Sequence, residues 1–298
     1  MARGPEPDDV EALLRAALAL DDRPPASEVG GAGPPVLLLA GSGKKGARTL
    51  NVSTPAALVA ATAGAKVIKV GSAATSSALG SRDLVRALGV HERRTAEEVR
   101  GDLSRTGFSF VAIEPEIPVL DQLYGGRFHA PNPFSMGLAA LASPVRGDRM
   151  VFGLAHPRVD VAARVLRRFG MADVDVIGTR LPDGRYIDEV GAFGEFRRCR
   201  VRDGRLRPVE IETITGIPVS DLPAPVAPEE AIALTGDLLA GAGLDSHRDL
   251  VAVNAAHLLV LGEIVTSLAA GIRIANDIIR TGAASKYISE PNKIDRSA

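Results

Sequence analysis

Residues 41–54 contain the residue types that bind phosphate groups. They begin with the turn Gly41-Ser42-Gly43, directly after the apolar run at residues 36–40. The cations of this segment are Lys44, Lys45 and Arg48, and its further polar side chains are Asn51, Ser53 and Thr54. A glycine turn that leads into a helix offers backbone N–H groups and a partial positive charge to an anion. The segment predicts a phosphate or pyrophosphate site; the alternative is a solvated loop before an ordinary Thr-Pro helix start.

A second polar loop follows the next predicted strand, at residues 66–70. Lys69-Val70-Gly71-Ser72 closes that strand, and Thr75, Ser76 and Ser77 come soon after it. Ligands of open α/β sheets collect at the carboxyl ends of the strands. The two loops are therefore expected to face one crevice, although a flexible turn with a helix cap also explains the Thr-Ser-Ser run.

The adjacent carboxylates Asp188 and Glu189 are the best metal candidates. They follow the turn Pro182-Asp183-Gly184 and a short segment at residues 185–187. On an extended strand two adjacent side chains point to opposite sides. In a loop, however, two carboxylates can hold Mg²⁺ while the phosphates of a ligand complete its oxygen shell. The alternative is a solvated surface pair.

Apolar runs and helical spacing alternate along the chain and predict the elements that position these residues. The predicted strands are residues 36–40, 66–70, 108–113, 150–155 and 174–178. The predicted helices are residues 8–20, 55–63 (capped by Thr54), 82–88, 96–103, 134–142, 159–169, 227–240, 245–269 and 272–281. This alternation predicts an α/β fold with a mostly parallel central sheet covered by helices on both faces. The predicted parts are an N-terminal helix and linker (1–33), two α/β segments (34–113 and 146–298) and a helical insert (114–145).

The composition excludes several classes of protein. The 298 residues are 46% hydrophobic and 24% charged with a net charge of −1, which excludes a disordered chain. The single cysteine, Cys199, excludes an intrachain disulfide and a cysteine zinc cluster. The absence of Trp argues against a base-stacking platform for nucleic acid. The polar first residues and the lack of a long apolar run predict a cytoplasmic protein without a signal or a membrane span.

Histidine and cysteine give weaker signals. The histidines show no metal spacing, and His257 lies in an otherwise apolar helix, which predicts a core or interface residue. Cys199 lies within Arg197-Arg198-Cys199-Arg200, where the cations could lower the pKa of the thiol, although an alternating strand explains the run equally well. We expect this basic stretch to be a solvated sheet edge that blocks aggregation rather than a nucleic-acid site.

Taken together, these segments resemble the anthranilate phosphoribosyltransferase family, which shares a fold with the pyrimidine nucleoside phosphorylases. The similar segments are Gly41-Ser42-Gly43, Asn51-Val52-Ser53-Thr54, Lys69-Val70-Gly71-Ser72, Ser76-Ser77 with Gly80-Ser81-x-Asp83, Asp188-Glu189 and Asn254-Ala255-Ala256. The resemblance runs from about residue 36 to about residue 285. The resemblance implies the fold of the nucleoside phosphorylases, with the helical subdomain reduced to the short N-terminal part. It also implies a homodimer.

The resemblance also implies a reaction and a set of site residues. The donor would be 5-phosphoribosyl pyrophosphate (PRPP), its pyrophosphate would be displaced by an aromatic amine, and Mg²⁺ would be required. The implied PRPP-binding residues are Gly41, Ser42, Gly43, Lys45, Asn51, Ser53, Thr54, Lys69, Ser76 and Ser77. The implied Mg²⁺ ligands are Ser53, Asp188 and Glu189, and these three together with Lys69 would carry the catalysis. The implied acceptor-binding residues are Val70, Gly71, Ser72 and Asn132.

The chain departs from the family pattern mainly on the acceptor side. Lys44 and Lys45 stand where the family has Gly-Asp, Val70 replaces a histidine, and Ala78 replaces a lysine. Asn132 aligns with the arginine that pairs with the anthranilate carboxylate, and a neutral amide cannot replace a guanidinium clamp. These changes predict that the acceptor is not anthranilate, or not only anthranilate, and that a neutral or larger aromatic compound suits the site better.

Two other functions remain open from the sequence. Lys44, Lys45 and the arginines of residues 197–202 would suit a non-catalytic family member that binds nucleic acid or another polyanion, although the near-zero net charge disfavours it. Lys44, Lys45 and Arg48 could instead hold the inorganic phosphate of a nucleoside phosphorylase.

Overall fold

The computed structural model describes residues 4–31, 33–43, 46–47, 50–74, 79–125, 131–215 and 224–288. The strands are β1 (Ser27–Glu28), β2 (Val36–Gly41), β3 (Lys66–Gly71), β4 (Phe108–Ala112), β5 (Val145–Arg146), β6 (Arg149–Gly153), β7 (Val174–Arg180), β8 (Tyr186–Ile187), β9 (Gly194–Arg202), β10 (Arg205–Leu206) and β11 (Glu210–Ile214). The helices are α1 (Pro7–Leu18), α2 (Ser53–Thr62), α3 (Ser81–Ala87), α4 (Ala96–Thr106), α5 (Pro118–Tyr124), α6 (Leu138–Leu141), α7 (Val159–Arg168), α8 (Pro228–Leu239), α9 (Asp245–Leu261) and α10 (Leu268–Arg280). Short 3₁₀ turns occupy Glu114–Glu116, Pro133–Met136 and Ala283–Tyr287.

Strands β7, β6, β2, β3 and β4 lie side by side and parallel in that order within a nine-stranded sheet, and β4 is its edge strand among the described residues. The chain runs from β2 outward through β3 to β4, and then returns to the other side of β2 to form β6 and β7. The direction of winding therefore reverses between β2 and β6. The predicted α/β class with a mostly parallel sheet is confirmed, and the antiparallel strands β8 to β11 extend the sheet beyond β7.

Both faces of the central sheet are covered, which explains why its strands are largely apolar and buried. Leu37 and Leu39 of β2 pack into one hydrophobic cluster, with residues of α2 and α9. Leu38 and Ala40 of the same strand pack into the other cluster, with residues of α1 and α7. This division follows from the alternation of side chains along a strand.

Several helix boundaries differ from the predictions; for example, the last helix begins at Leu268 rather than at residue 272. The helix predicted at 245–269 ends at Leu261, because Gly262 follows it and Glu263 adopts a positive φ of 59°. The helix predicted at 134–142 is divided by Gly137 into a 3₁₀ turn and the short α6. Helix α2 already begins at Ser53, so Thr54 lies within its first turn and is not the N-cap.

The basic stretch around Cys199 is strand β9, and the prediction of a solvated edge was wrong. Strand β9 pairs with β7 on one side and with β10 and β11 on the other. Its arginines face carboxylates of neighbouring strands: Arg198 and Arg200 contact Glu210, and Arg202 contacts Asp175. Because these cations are already neutralised, they offer little free charge to a polyanion. Burial raises the pKa of the Cys199 thiol to about 11, so the cysteine is not activated.

Candidate active site

Two glycines lie opposite each other at the carboxyl ends of β2 and β6, where the winding of the sheet reverses. Gly41 is paired in register with Gly153. A Cβ atom added to Gly153 would lie 2.1 Å from the backbone oxygen of Asp188, and one added to Gly41 would lie 3.1 Å from Asp188 Oδ2. Only residues without side chains allow Asp188 to approach the two strand ends this closely. Crevices at such reversal points are the usual ligand sites of open α/β sheets.

Hydrogen bonds from two elements hold the acidic segment in this position. The Thr179 hydroxyl of β7 donates to the backbone oxygen of Glu189 at 2.8 Å. The Asn254 amide of α9 donates to the backbone oxygen of Val190 at 2.8 Å, and its Oδ1 accepts from the Val190 N–H at 3.0 Å. Asn254 is the residue of the Asn-Ala-Ala motif. The structure therefore gives this motif residue a local task, which is to fix the backbone next to the two carboxylates.

Many of the predicted site residues line one cavity above the ends of β2, β3 and β6. These residues are Gly41, Gly43, Asn51, Ser53, Lys69, Val70, Gly71, Ser72, Asp188 and Glu189. Ser42 is next to them, with its Oγ 3.4 Å from Asp188 Oδ2. The structure thus brings together two chain segments that are far apart in sequence, the glycine turn and the acidic pair.

Other predicted residues are placed elsewhere or are not described. Thr54 is fully buried inside α2, away from the cavity lining. Asn132 does not line the cavity either, because its Oδ1 accepts from the Phe134 N–H and from the Tyr124 hydroxyl, both at 3.1 Å. Lys45, Ser76 and Ser77 lie outside the described residues.

Lys69 projects from β3 and is almost completely buried at the cavity wall. Its Nζ donates to the backbone oxygen of Val70 at 2.7 Å, which orients the ammonium group. Lys69 is the only lysine or arginine among the described residues that line the cavity. A cation in this place suits the negative charge of a phosphate.

The loop after β3 is held by two carboxylates whose role was not predicted from the sequence. Glu114 accepts from the Ala73 N–H at 2.5 Å. Asp83 accepts from the N–H groups of Ala74 and Gly80, at 3.1 and 3.3 Å. Glu114 follows β4, the neighbour of β3, and this position at a strand end was the signal that could have identified it.

The donor set fits Mg²⁺. Asp188, Glu189 and Ser53 supply oxygen atoms, and oxygen is the ligand type that this hard cation prefers. Within the described ranges there is no cluster of three or more His, Cys, Asp or Glu side chains that could hold a metal. Two carboxylates leave most of an octahedron open, which is typical of Mg²⁺ sites that share the ion with the phosphates of a ligand.

His257 lines the same cavity, although the sequence predicted a residue of the core or of an interface. Its Nε2 is 3.5 Å from Oδ2 of the buried Asp175 on β7. Burial lowers the pKa of His257 from 6.5 to about 4, against the opposing effect of Asp175. The imidazole is therefore neutral near pH 7.

Comparison with known proteins identifies the family. Residues 34–285 match the family model described as "Glycosyl transferase family, a/b domain". The chain belongs to this family. It is similar to the anthranilate phosphoribosyltransferase of Laribacter hongkongensis (strain HLHK9), with 32% identity over 84% of this chain and 73% of the relative. It is 33% identical to that of Polynucleobacter necessarius subsp. necessarius (strain STIR1), over 83% of this chain and 73% of the relative.

Solved structures agree with this assignment. The crystal structure of anthranilate phosphoribosyltransferase from Thermus thermophilus aligns with a TM-score of 0.74 and 28% identity, over 96% of this chain and 84% of the other. The enzyme from Saccharomyces cerevisiae, solved with PRPP and Mg, aligns with a TM-score of 0.71 over 95% of this chain and 78% of the other; at 21% identity it supports the fold alone. The chain is thus a transferase of the anthranilate phosphoribosyltransferase-like kind.

No helix in the described ranges is long and apolar enough to cross a membrane.

The close approach at Gly153 makes a testable prediction for this glycosyltransferase. In Gly153→Ala the new methyl group would overlap the backbone of Asp188, so the acidic segment must move. We expect a loss of about 1–3 kcal/mol in the free energy of unfolding, the usual cost of overpacking. Urea denaturation measures this loss. Gly236→Ala is the control, because a Cβ there meets nothing within 4 Å, and an equal effect of both substitutions would contradict the prediction.

The depressed pKa of His257 predicts a pH dependence of stability. The group binds its proton more weakly in the folded than in the unfolded chain, so its contribution to stability is full above about pH 6.5 and declines as the pH falls toward 4. Within this window the decline approaches about 1.4 kcal/mol per pH unit. Urea denaturation of the wild type and of His257→Phe between pH 7 and 4 isolates this contribution. The wild type is expected to lose more stability than the variant, and parallel curves would refute the assignment.

Proposed function

We propose that the chain transfers the 5-phosphoribosyl group of PRPP to an aromatic amine or a related acceptor and releases pyrophosphate. The observation that carries this proposal is the convergence, in one cavity, of the glycine turn, the start of α2, Lys69 and the pair Asp188-Glu189. The family relatives named above catalyse the corresponding reaction with anthranilate, which supports the same donor here.

Different residues of the cavity would bind different parts of the donor. Asn51 and Ser53, at the start of α2, line the cavity and would donate hydrogen bonds to phosphate oxygens. Asp188, Glu189 and Ser53 would hold Mg²⁺, which neutralises negative charge on the leaving pyrophosphate. Lys69 adds a fixed positive charge that is held by the backbone oxygen of Val70. When the bond between C1 and the pyrophosphate oxygen breaks, that oxygen takes the electron pair. The Mg²⁺ ligands and Lys69 would stabilise the negative charge that develops on the pyrophosphate.

The acceptor nitrogen forms the new bond to C1 and releases a proton to solvent or to the departing pyrophosphate. Most of the protein's contribution to this step is to hold donor and acceptor in a productive orientation. We propose that the acceptor is a neutral or larger aromatic compound rather than anthranilate. Two observations support this. Asn132, which replaces the arginine, is hydrogen-bonded to Tyr124 and Phe134. In the described part of the lining, Lys69 is the one lysine or arginine, and we assign it to the donor.

The experiment is a titration of the protein with PRPP, followed by calorimetry and by the thermal midpoint. With millimolar Mg²⁺ we expect binding and a higher Tm, since a ligand selective for the native state stabilises it. With EDTA in place of Mg²⁺, or with Asp188→Asn, the effect is expected to be largely lost. Absence of binding in the wild type with Mg²⁺ would overturn the proposal. Pyrophosphate release with a panel of neutral and anionic aromatic amines then measures the acceptor preference.

A further inference from the structure

The loop after β3, defined here as residues 72–74, forms part of the cavity wall. Ser72 and Ala73 both line the cavity. Gly80 lines it as well, and a Cβ atom added to Gly80 would lie 2.3 Å from the carbonyl carbon of Ala73. The backbone is therefore closely packed here. A shift of this loop would change the cavity wall that follows the buried Lys69 in the chain.

Carboxylates of the protein already occupy N–H groups of this loop. The N–H of Ala73 donates to Glu114 Oε1 at 2.5 Å, and the N–H of Ala74 donates to Asp83 Oδ2 at 3.1 Å. Backbone N–H groups of such loops are common ligands of phosphate groups. A phosphate would have to displace two carboxylates in order to bind here, and these carry the same sign of charge as the phosphate.

Arg82 of α3 ties Glu114 to the same loop. Its Nη1 lies 3.5 Å from Glu114 Oε2, and its backbone N–H donates to the backbone oxygen of Ser72 at 3.0 Å. The Nε and Nη2 atoms of Arg82 donate to the two carboxylate oxygens of Glu92, at 2.8 and 3.0 Å, which fixes the guanidinium group. The side chains of Arg82 and Glu114 are only 18% and 15% exposed. Charge-assisted contacts of this kind are stronger than neutral hydrogen bonds.

We propose that Glu114 is a positioning residue for the transfer step and acts through the N–H of Ala73. Glu114 is not among the described residues that line the cavity, so it acts without touching the substrates. It holds Ser72 and Ala73 against the uncharged parts of the substrates, while Asn51 and Ser53 at the start of α2 bind phosphates. The inference rests on the proposed function for the identity of the reaction. Its consequence is that loss of Glu114 lowers turnover and spares PRPP binding.

The kinetic test compares Glu114→Ala with the wild type by pyrophosphate release from PRPP, with anthranilate and aniline as acceptors. We expect kcat to fall about 10–10²-fold, as misplaced reacting groups can cause, and the Kd of PRPP from calorimetry to stay within about twofold. Acetate matches the atoms that the substitution removes and should restore part of kcat, whereas neutral acetamide should restore less. Glu114→Gln keeps an oxygen for the Ala73 N–H and is expected to retain most of the activity.

Glu116→Ala is the matched control in the same 3₁₀ turn. The carboxylate of Glu116 faces Arg94, with Oε1 3.6 Å from Nε, and it is not the carboxylate that accepts from the loop. We expect the kinetics of this variant to match those of the wild type with and without acetate.

Amide hydrogen exchange of Ala73, followed by NMR, tests the contact without any turnover. Glu114 should protect this N–H in the wild type, and Glu114→Ala should exchange about tenfold faster through loss of the hydrogen bond. Equal exchange or equal kcat in the two proteins, or a PRPP affinity that falls as much as kcat, would overturn the inference. Failure of the proposed function is distinguishable, because the wild type would then bind no PRPP while Glu114 still protects the Ala73 N–H.

Discussion

Asp188→Asn is expected to lower kcat/KM for PRPP by about 10²–10³-fold, the scale typical of losing one group that stabilises transition-state charge. The substitution keeps the size of the side chain and removes its charge, so the affinity for Mg²⁺ falls while the packing against Gly41 and Gly153 is preserved. Because the defect lies in metal binding, a higher Mg²⁺ concentration should restore part of the activity. Pyrophosphate release, measured as a function of Mg²⁺, reports both effects.

Asp183→Asn is the matched control for this substitution. Asp183 lies in the turn just before the acidic segment and pairs with Arg185 on the surface, outside the cavity. We expect its activity to stay within about twofold of the wild type, as for other surface changes. A similar loss in both variants, or full activity in Asp188→Asn at low Mg²⁺, would remove the support for a metal role.

Lys69→Met is expected to lower kcat by a similar factor, about 10²–10³-fold. Methionine matches the length and the apolar stem of lysine, so the buried space on β3 stays filled while the charge is removed. The unfolding free energy should change little, or even rise, because a buried charge is replaced by an apolar group. Steady-state kinetics and urea denaturation of the same preparation separate loss of catalysis from loss of folding.

Lys66→Met is the control on the same strand. Lys66 is the first residue of β3, at the end of the strand opposite to the cavity. We expect it to behave like the wild type in kinetics. The expectation for Lys69 fails if its substitution changes KM for PRPP but leaves kcat intact, since the group would then bind ground state and transition state equally.

Most of the parallel sheet could be predicted from the sequence. Residues 36–40 are an apolar run and residues 66–70 contain three β-branched residues, each segment ends at a glycine, and such local signals depend on neighbouring residues alone. The start of the helix predicted at 96–103 is local for the same reason, because the Thr95 hydroxyl caps it by accepting from the Glu98 N–H three residues later. The division of residues 134–142 was missed because Gly137 interrupts a pattern that is otherwise helical.

Part of the lining of the candidate site could be predicted from the sequence. Ser53, Lys69 and Asp188 were predicted from short local motifs, and the structure brings the three to one cavity. His257 was predicted to be a core or interface residue and is buried, but the sequence did not show that it lines the cavity, because it shows only its helical neighbours and not the strand that carries Asp175. Strand β9 was assigned to an edge for a similar reason, because Glu210 and Asp175, which neutralise its arginines, lie in other strands.

By itself, therefore, the sequence determined the elements, the class of fold and the residue types that suit a phosphorylated donor. The tertiary structure alone decided that Asp188 lies over Gly41 and Gly153, and that His257 faces Asp175 under α9. The physical reason is the order of the strands. Turns, caps and periodic burial are interactions among neighbours in the chain, whereas the contacts that complete the cavity join distant segments through the reversal of winding between β2 and β6.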